Sequence, residues 1–296
     1  MTKKIFLSGA SGFIGKNILA QLGQKYNFFA PSHKQLDLLN FELIEKYFKK
    51  YGPFDVVLHT AIVGGNRKTG DSKDYAMDSI RMFFNIASNK KLFRRFFYFG
   101  SGIEYGKEKP IKKYTENRFG ERIPQSNWGL YKYICAKHVE DSSNFINLRL
   151  FGIFGKYEDW RVRFISNAIC KNIYNLPITI NQNIMMSYLY VDDLIIILDK
   201  FLNTQVKNKD YNVTPNSSID LITLAKKINK AAKNKVEIIV NQKGLNKEYT
   251  GSNKRLINEF KGIDFTKIDN AIYQLYNWYL NRKNKIKRSD LLEDYF

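Results

Sequence analysis

The chain has 296 residues, 44% of them hydrophobic and 15% aromatic, with 48 Lys+Arg against 28 Asp+Glu. That composition supports a globular core over most of the length and excludes a collagen-like, low-complexity or wholly disordered chain, and no apolar run reaches the ~18 residues that cross a bilayer. The net charge of +20 suits nucleic acid, anionic lipid or a phosphate-bearing small molecule, but the lysines are dispersed, as in Lys46-Tyr47-Phe48-Lys49-Lys50, which disfavours nucleic acid as a partner.

Ile5-Phe6-Leu7 reads as a first strand. Its apolar stretch runs straight into glycines and is too short for a secretory h-region, which points to the cytoplasm. Asn17 to Gln24 carries Ile18, Leu19 and Leu22 at helical spacing. Asn27-Phe28-Phe29-Ala30 is a second strand, Phe41 to Lys50 a helix, and Val56-Val57-Leu58 a third strand. Phe93 to Phe99 and Phe145 to Leu150 repeat the near-continuous apolar pattern of strands buried on both faces. Trp128 to Glu140 between them is a helix. Alternating strand and helix predicts an α/β fold with a doubly wound parallel sheet.

Beyond residue 150 the alternation loosens, with a turn-rich stretch at Asn175 to Ile180 and helices at Val191 to Leu202 and Ile222 to Ala232. No Pro-, Gly- or Ser-rich linker intervenes. The expected organisation is a first domain over 1–155, its sheet completed by residues from 185–215, and a smaller C-terminal lobe over 156–296. The run Arg282 to Arg288 reads as a solvated basic tail leading to a loosely ordered Phe296. Only two cysteines occur, Cys135 and Cys170, and the three histidines are scattered. A reducing compartment fits that usage, and neither a disulfide framework nor a metal site is expected.

The sharpest local signal is Gly9-Ala10-Ser11-Gly12-Phe13-Ile14-Gly15, which follows the first strand and opens the first helix. Gly9 allows the tight turn, Gly12 lets backbone amides approach a pyrophosphate, and Gly15 lets the helix pack against the sheet. The unpaired N–H groups at the helix N-terminus and the helix dipole favour an anion there. A Rossmann dinucleotide site is the expectation.

In its GxxGxxG spacing the chain resembles the extended short-chain dehydrogenase/reductase family, the NAD-dependent epimerases/dehydratases. Four later segments support the resemblance. Leu58-His59-Thr60-Ala61 is similar to the strand that ends in a small residue beside the cofactor. Phe99-Gly100-Ser101-Gly102-Ile103-Glu104-Tyr105-Gly106 resembles the catalytic-serine strand. Leu148 to Gly155 resembles the segment leading into the substrate lobe, and Tyr188-Leu189-Tyr190-Val191-Asp192-Asp193-Leu194 the late YVDDL segment. Lys34 to Asn40 and Ala61 to Asn66 look most like the GDP-fucose synthase type of 4-keto-sugar-nucleotide reductase.

The resemblance implies a nucleotide-diphosphate sugar as substrate, hydride exchange with NADP or NAD at a sugar carbon, a place in surface polysaccharide synthesis, and a homodimer. It places Gly9, Ser11, Gly12, Phe13, Ile14, Gly15, Thr60 and Ala61 at the cofactor. Ser32-His33-Lys34 at the end of the second strand lacks the acid that would repel a 2′-phosphate, so NADP is tolerated. His33 borders the ribose, and Asp37-Leu38 resembles the Asp-Leu dipeptide at the adenine.

The family pairs a serine with a tyrosine and a lysine four residues later, on one helix face, the lysine lowering the tyrosine pKa and holding the nicotinamide ribose. Ser101 matches the serine. Trp128-Gly129-Leu130-Tyr131-Lys132 offers Lys132 but has Trp128 for the tyrosine, and an indole N–H donates a hydrogen bond without titrating. Tyr133-Ile134-Cys135-Ala136-Lys137 offers a literal Tyr133/Lys137 pair one turn later. Gly129 and the distance to Arg149 favour the first register. With Trp128 in place, Tyr105, Tyr131 or a water replaces the phenol, or turnover is slow, or the protein binds its ligands without redox chemistry. Met186 stands where many relatives have a phosphate-binding arginine, and Arg161 and Arg163 are candidates to supply that charge.

Overall fold

The computed structural model describes residues 2–64 and 70–293; the Gly65-Asn66 end of the Ala61 motif and Phe296 lie outside them. The first half runs β1 (Lys4–Ser8), α1 (Phe13–Leu22), β2 (Asn27–Phe29), α2 (Phe41–Tyr51), β3 (Phe54–His59), α3 (Lys73–Ala87), β4 (Phe93–Ser101), β5 (Ile111–Tyr114), α4 (Asn127–Asp141) and β6 (Phe145–Leu150). There follow β7 (Gly152–Phe154), α5 (Phe164–Ile173), β8 (Ile178–Asn183), β9 (Met185–Met186), β10 (Tyr188–Tyr190), α6 (Val191–Asn203) and β11 (Asp210–Val213). The chain then forms β12 (Ile219–Asp220), α7 (Leu221–Ala231), β13 (Ile238–Leu245), β14 (Tyr249–Gly251), α8 (Lys254–Glu259) and α9 (Ile268–Leu280).

Six strands form a wholly parallel central sheet in the order β2-β1-β3-β4-β6-β11. Period-2 alternation divides its residues between two covered faces. Phe97, Phe99, Ile146 and Leu148 pack with Ile18 and Leu22 of α1 and Leu194, Leu198 and Phe201 of α6. Phe96, Tyr98 and Phe145 pack with Phe48 of α2, Phe83 and Ile86 of α3, and Tyr131, Cys135 and Val139 of α4. Helices on both faces are what a doubly wound sheet requires, and the order reverses between β1 and β3, leaving a crevice at their C-terminal ends.

The second half builds its own core from Ile165 and Ile169 of α5, Leu224 and Ile228 of α7, and Ile272 and Leu275 of α9. A small sheet ordered β12-β9-β14-β5 joins residues from both halves of the chain.

The first helix begins at Phe13, so the glycine motif opens it as expected. One local expectation is corrected. The basic run at 282–288 is not simply solvated: Ile286 and Leu291 are buried in the second core, and the Tyr174 hydroxyl lies 2.8 Å from the Ile286 carbonyl. The lysines project their heads outward while the apolar residues between them anchor the segment.

Candidate active site

The glycine loop fills the crevice between β1 and β3. Gly9 takes φ +77°, and a Cβ there would stand 2.6 Å from the Ala61 nitrogen and 2.7 Å from Thr60 Oγ1. Only glycine tolerates both conditions. Thr60 in turn donates its hydroxyl to the Ser8 carbonyl at 2.7 Å, so the ends of β1 and β3 are clamped together. A Cβ at Gly15 would stand 2.7 Å from Ala10 Cα and press into the Gly9 carbonyl. At Gly12 such an atom would meet, among the described residues beyond its chain neighbours, the Gly9 carbonyl alone, 3.2 Å away, so that position is the least enclosed of the three.

Gly12 is the N-cap of α1, has no side-chain cap, and is followed by no acidic residue in the first turn. Phe13 and Ile14 turn their side chains toward the two cores and contribute only backbone at the rim, while Ser11 is exposed. Asn17 fixes the helix by donating to the carbonyls of Phe13 (2.9 Å) and Lys156 (2.8 Å). Orphan amides at a helix N-terminus without a side-chain cap suit a diphosphate group.

Beyond β2, Ser32 is held by Gln35 Oε1 through both its amide and its hydroxyl. His33 is largely exposed and 4.0 Å from Asp37. Asp37 accepts from the Leu39 amide at 3.0 Å, and the Leu38 carbonyl accepts from Asn85 at 3.0 Å. The turn is thus braced from within and leaves His33 and Lys34 at its surface.

Ser101 ends β4, next to β3 in the sheet. Its amide donates to Glu104 Oε1 at 2.7 Å and its hydroxyl accepts from the Ile103 amide at 3.3 Å, a capping box that fixes the start of the following turn. Glu104 is fully buried, and its Oε2 accepts from Arg149 Nε at 2.6 Å and Asn147 Nδ2 at 2.9 Å. Arg149 continues to the Tyr105 hydroxyl and to Asp210, each at 3.0 Å, and the carboxylates around it hold its pKa above the ordinary value despite burial.

The two lysine registers separate in space. Lys132 runs back to the sheet, donating to the Phe99 carbonyl at 2.8 Å beneath Ser101 and lying 4.7 Å from the Tyr98 ring centroid. Desolvation pushes its pKa down to about 8, against an opposing pull from Glu104. Lys137 is turned to Glu140 at 2.6 Å, and Tyr133 packs on Phe119 with ring centroids 5.1 Å apart. The expectation of a Tyr133/Lys137 catalytic pair therefore finds no geometric support, because both side chains are committed to that flank of α4.

Trp128 donates its indole N–H to the Gly70 carbonyl at 2.8 Å, and its amide to Asp71 Oδ1 at 2.8 Å. The side chain at the tyrosine position is thereby tied to the segment before α3. Neither expected substitute phenol is at Ser101. Tyr105 donates to Asn212 Oδ1 at 2.8 Å, and Tyr131 is buried with Cys135 in the core beneath α4. Tyr249 of β14, which the sequence did not single out, instead places its hydroxyl 3.3 Å from Ser101 Oγ. Met186 is paired with Tyr249 in the small sheet. Arg161 is bound bidentately by Asp159 at 2.8 and 2.9 Å, and Arg163 acts electrostatically on Glu158 and Asp159.

Among the described residues no His/Cys/Asp/Glu cluster is arranged to hold a metal ion, and no helix is long and apolar enough to cross a membrane.

A sequence model described as the NAD dependent epimerase/dehydratase family matches residues 5–214. GDP-L-colitose synthase of Yersinia pseudotuberculosis is 30% identical over 183 residues, 57% of this chain and 59% of that protein, so the match spans less than two thirds of that relative. Among solved structures, the GDP-L-fucose synthetase of Naegleria fowleri bound to NADP superposes with a TM-score of 0.82 at 16% identity, covering 97% of each chain. The dTDP-4-dehydrorhamnose reductase of Bacillus anthracis in complex with NADP gives 0.79 at 18% identity, covering 94% of this chain and 100% of that one. At those identities the structural likeness establishes the fold.

Proposed function

The chain belongs to the NAD dependent epimerase/dehydratase family, and we propose that it is an NADP(H)-dependent reductase of a 4-keto sugar carried on a nucleoside diphosphate, GDP being the favoured carrier, in surface polysaccharide synthesis. The observation that carries this reading is the uncapped N-terminus of α1 above the β1/β3 crevice, with Gly12 less enclosed than Gly9 and Gly15. The relatives named for GDP-sugars support the substrate class.

In this reading residues 1–155, with β11, hold the dinucleotide, and 156–296 take the sugar nucleotide. The amides of Ser11, Phe13 and Ile14 receive the diphosphate, the Gly12 amide being held by the Gly9 carbonyl at 3.0 Å; His33 and the Asp37-Leu38 turn border the adenosine, and Thr60-Ala61 line the floor. When bound, the dinucleotide supplies the hydride. Ser101 hydrogen-bonds the substrate carbonyl oxygen as charge develops there, and Lys132, anchored on Phe99, orients the nicotinamide ribose. Exposed Tyr75 and Met77 on α3 and Leu130 and Ile134 on α4 form the proposed homodimer face.

Mixing the protein with NADPH and a panel of GDP-, dTDP- and UDP-linked 4-keto sugars, and following loss of NADPH absorbance, tests this. Oxidation with one member supports it. The bond from Trp128 to Gly70 favours a second reading, a binding protein without redox turnover. Tight NADPH binding with no oxidation across the panel, converted to turnover by Trp128→Tyr, would establish that reading instead.

A further inference from the structure

We propose that Tyr249 is a positioning residue that aims the hydroxyl proton of Ser101 at the substrate carbonyl oxygen. The proposal rests on the reductase reading above. A serine hydroxyl has two acceptor sites and one proton. The Ile103 amide donates into Ser101 Oγ at 3.3 Å. The Tyr249 hydroxyl lies 3.3 Å from the same oxygen, a contact in which either hydroxyl is able to donate. When the substrate carbonyl oxygen takes the Ser101 proton, the phenol is the partner that donates into the remaining acceptor site of Ser101 Oγ. Both acceptor sites of the serine are then filled, and its proton is free only toward a third partner.

The phenol is built into place. Tyr249 is 5% exposed and packs on Phe151 with ring centroids 5.1 Å apart, within a cluster of Tyr105, Ile111 and Tyr114. A Cβ at Gly102 would stand 2.9 Å from the Tyr249 oxygen and 2.6 Å from the Phe151 ring, and one at Gly251 would also enter that ring. The two glycines thus make room for the aromatic pair that reaches Ser101. Desolvation raises the phenol pKa well above its ordinary value, so Tyr249 remains a donor at every working pH. No proton transfer is assigned to it; its contribution is the direction and polarisation of the Ser101 O–H bond.

The alternative phenols do not compete. Tyr105 already donates to Asn212 and accepts from Arg149, and Tyr98 and Tyr131 are buried with Cys135 in the core beneath α4. A donor to the catalytic serine therefore reaches it from the small sheet rather than from α4.

The test is a double-mutant cycle with Tyr249→Phe and Ser101→Ala, assayed with NADPH and the 4-keto sugar nucleotide that the panel identifies. Tyr249→Phe is expected to lower kcat about tenfold, with KM for the sugar nucleotide and the dissociation constant for NADPH unchanged. In the Ser101→Ala background it is expected to cost nothing further. Gly102→Ala, which pushes the phenol off the serine while keeping it, is expected to lower kcat with the same non-additivity, and keeps the proposal open to refutation if Tyr249→Phe fails to fold. Losses that multiply, or an unchanged kcat in Tyr249→Phe, overturn the role of Tyr249 while the reductase reading stands. A wild-type protein that oxidises NADPH with no member of the panel overturns both.

Discussion

Replacing Glu104 by alanine strikes the structure beneath Ser101. The carboxylate is fully buried and accepts three hydrogen bonds, from the Ser101 amide at 2.7 Å, Asn147 at 2.9 Å and Arg149 at 2.6 Å. In Glu104→Ala the Arg149 guanidinium retains the Tyr105 hydroxyl and Asp210, but Asp210 is partly exposed and shared with Arg255. Removing one partner of a buried pair costs about 3–5 kcal/mol, a large fraction of the ~5–15 kcal/mol that holds a domain together. At roughly 2–3 °C per kcal/mol for a chain of this size, Tm should fall by ~6–15 °C. Glu104→Gln keeps an acceptor for the Ser101 amide but turns an NH2 group toward Arg149, and should fall between. Thermal unfolding followed by circular dichroism reads both. A Glu104→Ala protein melting within about 2 °C of wild type would refute the claim that this pair underpins the serine turn.

Gly15→Ala should lower NADPH affinity at least tenfold and reduce stability by ~1–3 kcal/mol, because its methyl meets Ala10 Cα at 2.7 Å; fluorescence titration and thermal unfolding measure the two effects. Lys132 should impose a pH limit. Its pKa is pushed down to about 8 by burial, with Glu104 and Cys135 opposing the shift and neutral His59 nearby. It is a cation below that pH and loses its proton as pH rises through it. NADPH affinity should therefore decline above about pH 8 in the wild type, and Lys132→Met should bind weakly with no such decline in a titration series.

Strands that are buried on both faces announce themselves, and the glycine loop was legible because its spacing has one physical use in that context. The helix of α3 was harder to see, since Ser79 is buried on its inner side, satisfied by the Tyr75 carbonyl at 2.8 Å, and interrupts the apolar pattern. Glu104 and Arg149 each lie in a motif segment, but nothing in the sequence marks them as a pair until the fold brings together residues 45 positions apart. Tyr249 lies 148 positions from Ser101, and nothing local marks its hydroxyl as belonging to the serine. The indole of Trp128 was visible as a departure from the family pattern, but its carbonyl partner at Gly70 was not. Ile286 and Leu291 were masked by the lysines and arginines around them. At the site itself, what escaped the sequence consists of long-range polar partnerships, which periodicity does not encode.

The central claim is that the α1 N-terminus grips the diphosphate of a nicotinamide dinucleotide, and calorimetric titration of NADPH into the wild type and Gly12→Ala tests it most directly. Gly12 has φ −77° and its added methyl would meet the Gly9 carbonyl at 3.2 Å, so the variant should fold with a modest loss of Tm. The account predicts saturable binding of one NADPH per chain in the wild type and at least a tenfold loss in Gly12→Ala. Absence of binding to the wild type, or equal affinity in the two proteins, would contradict it.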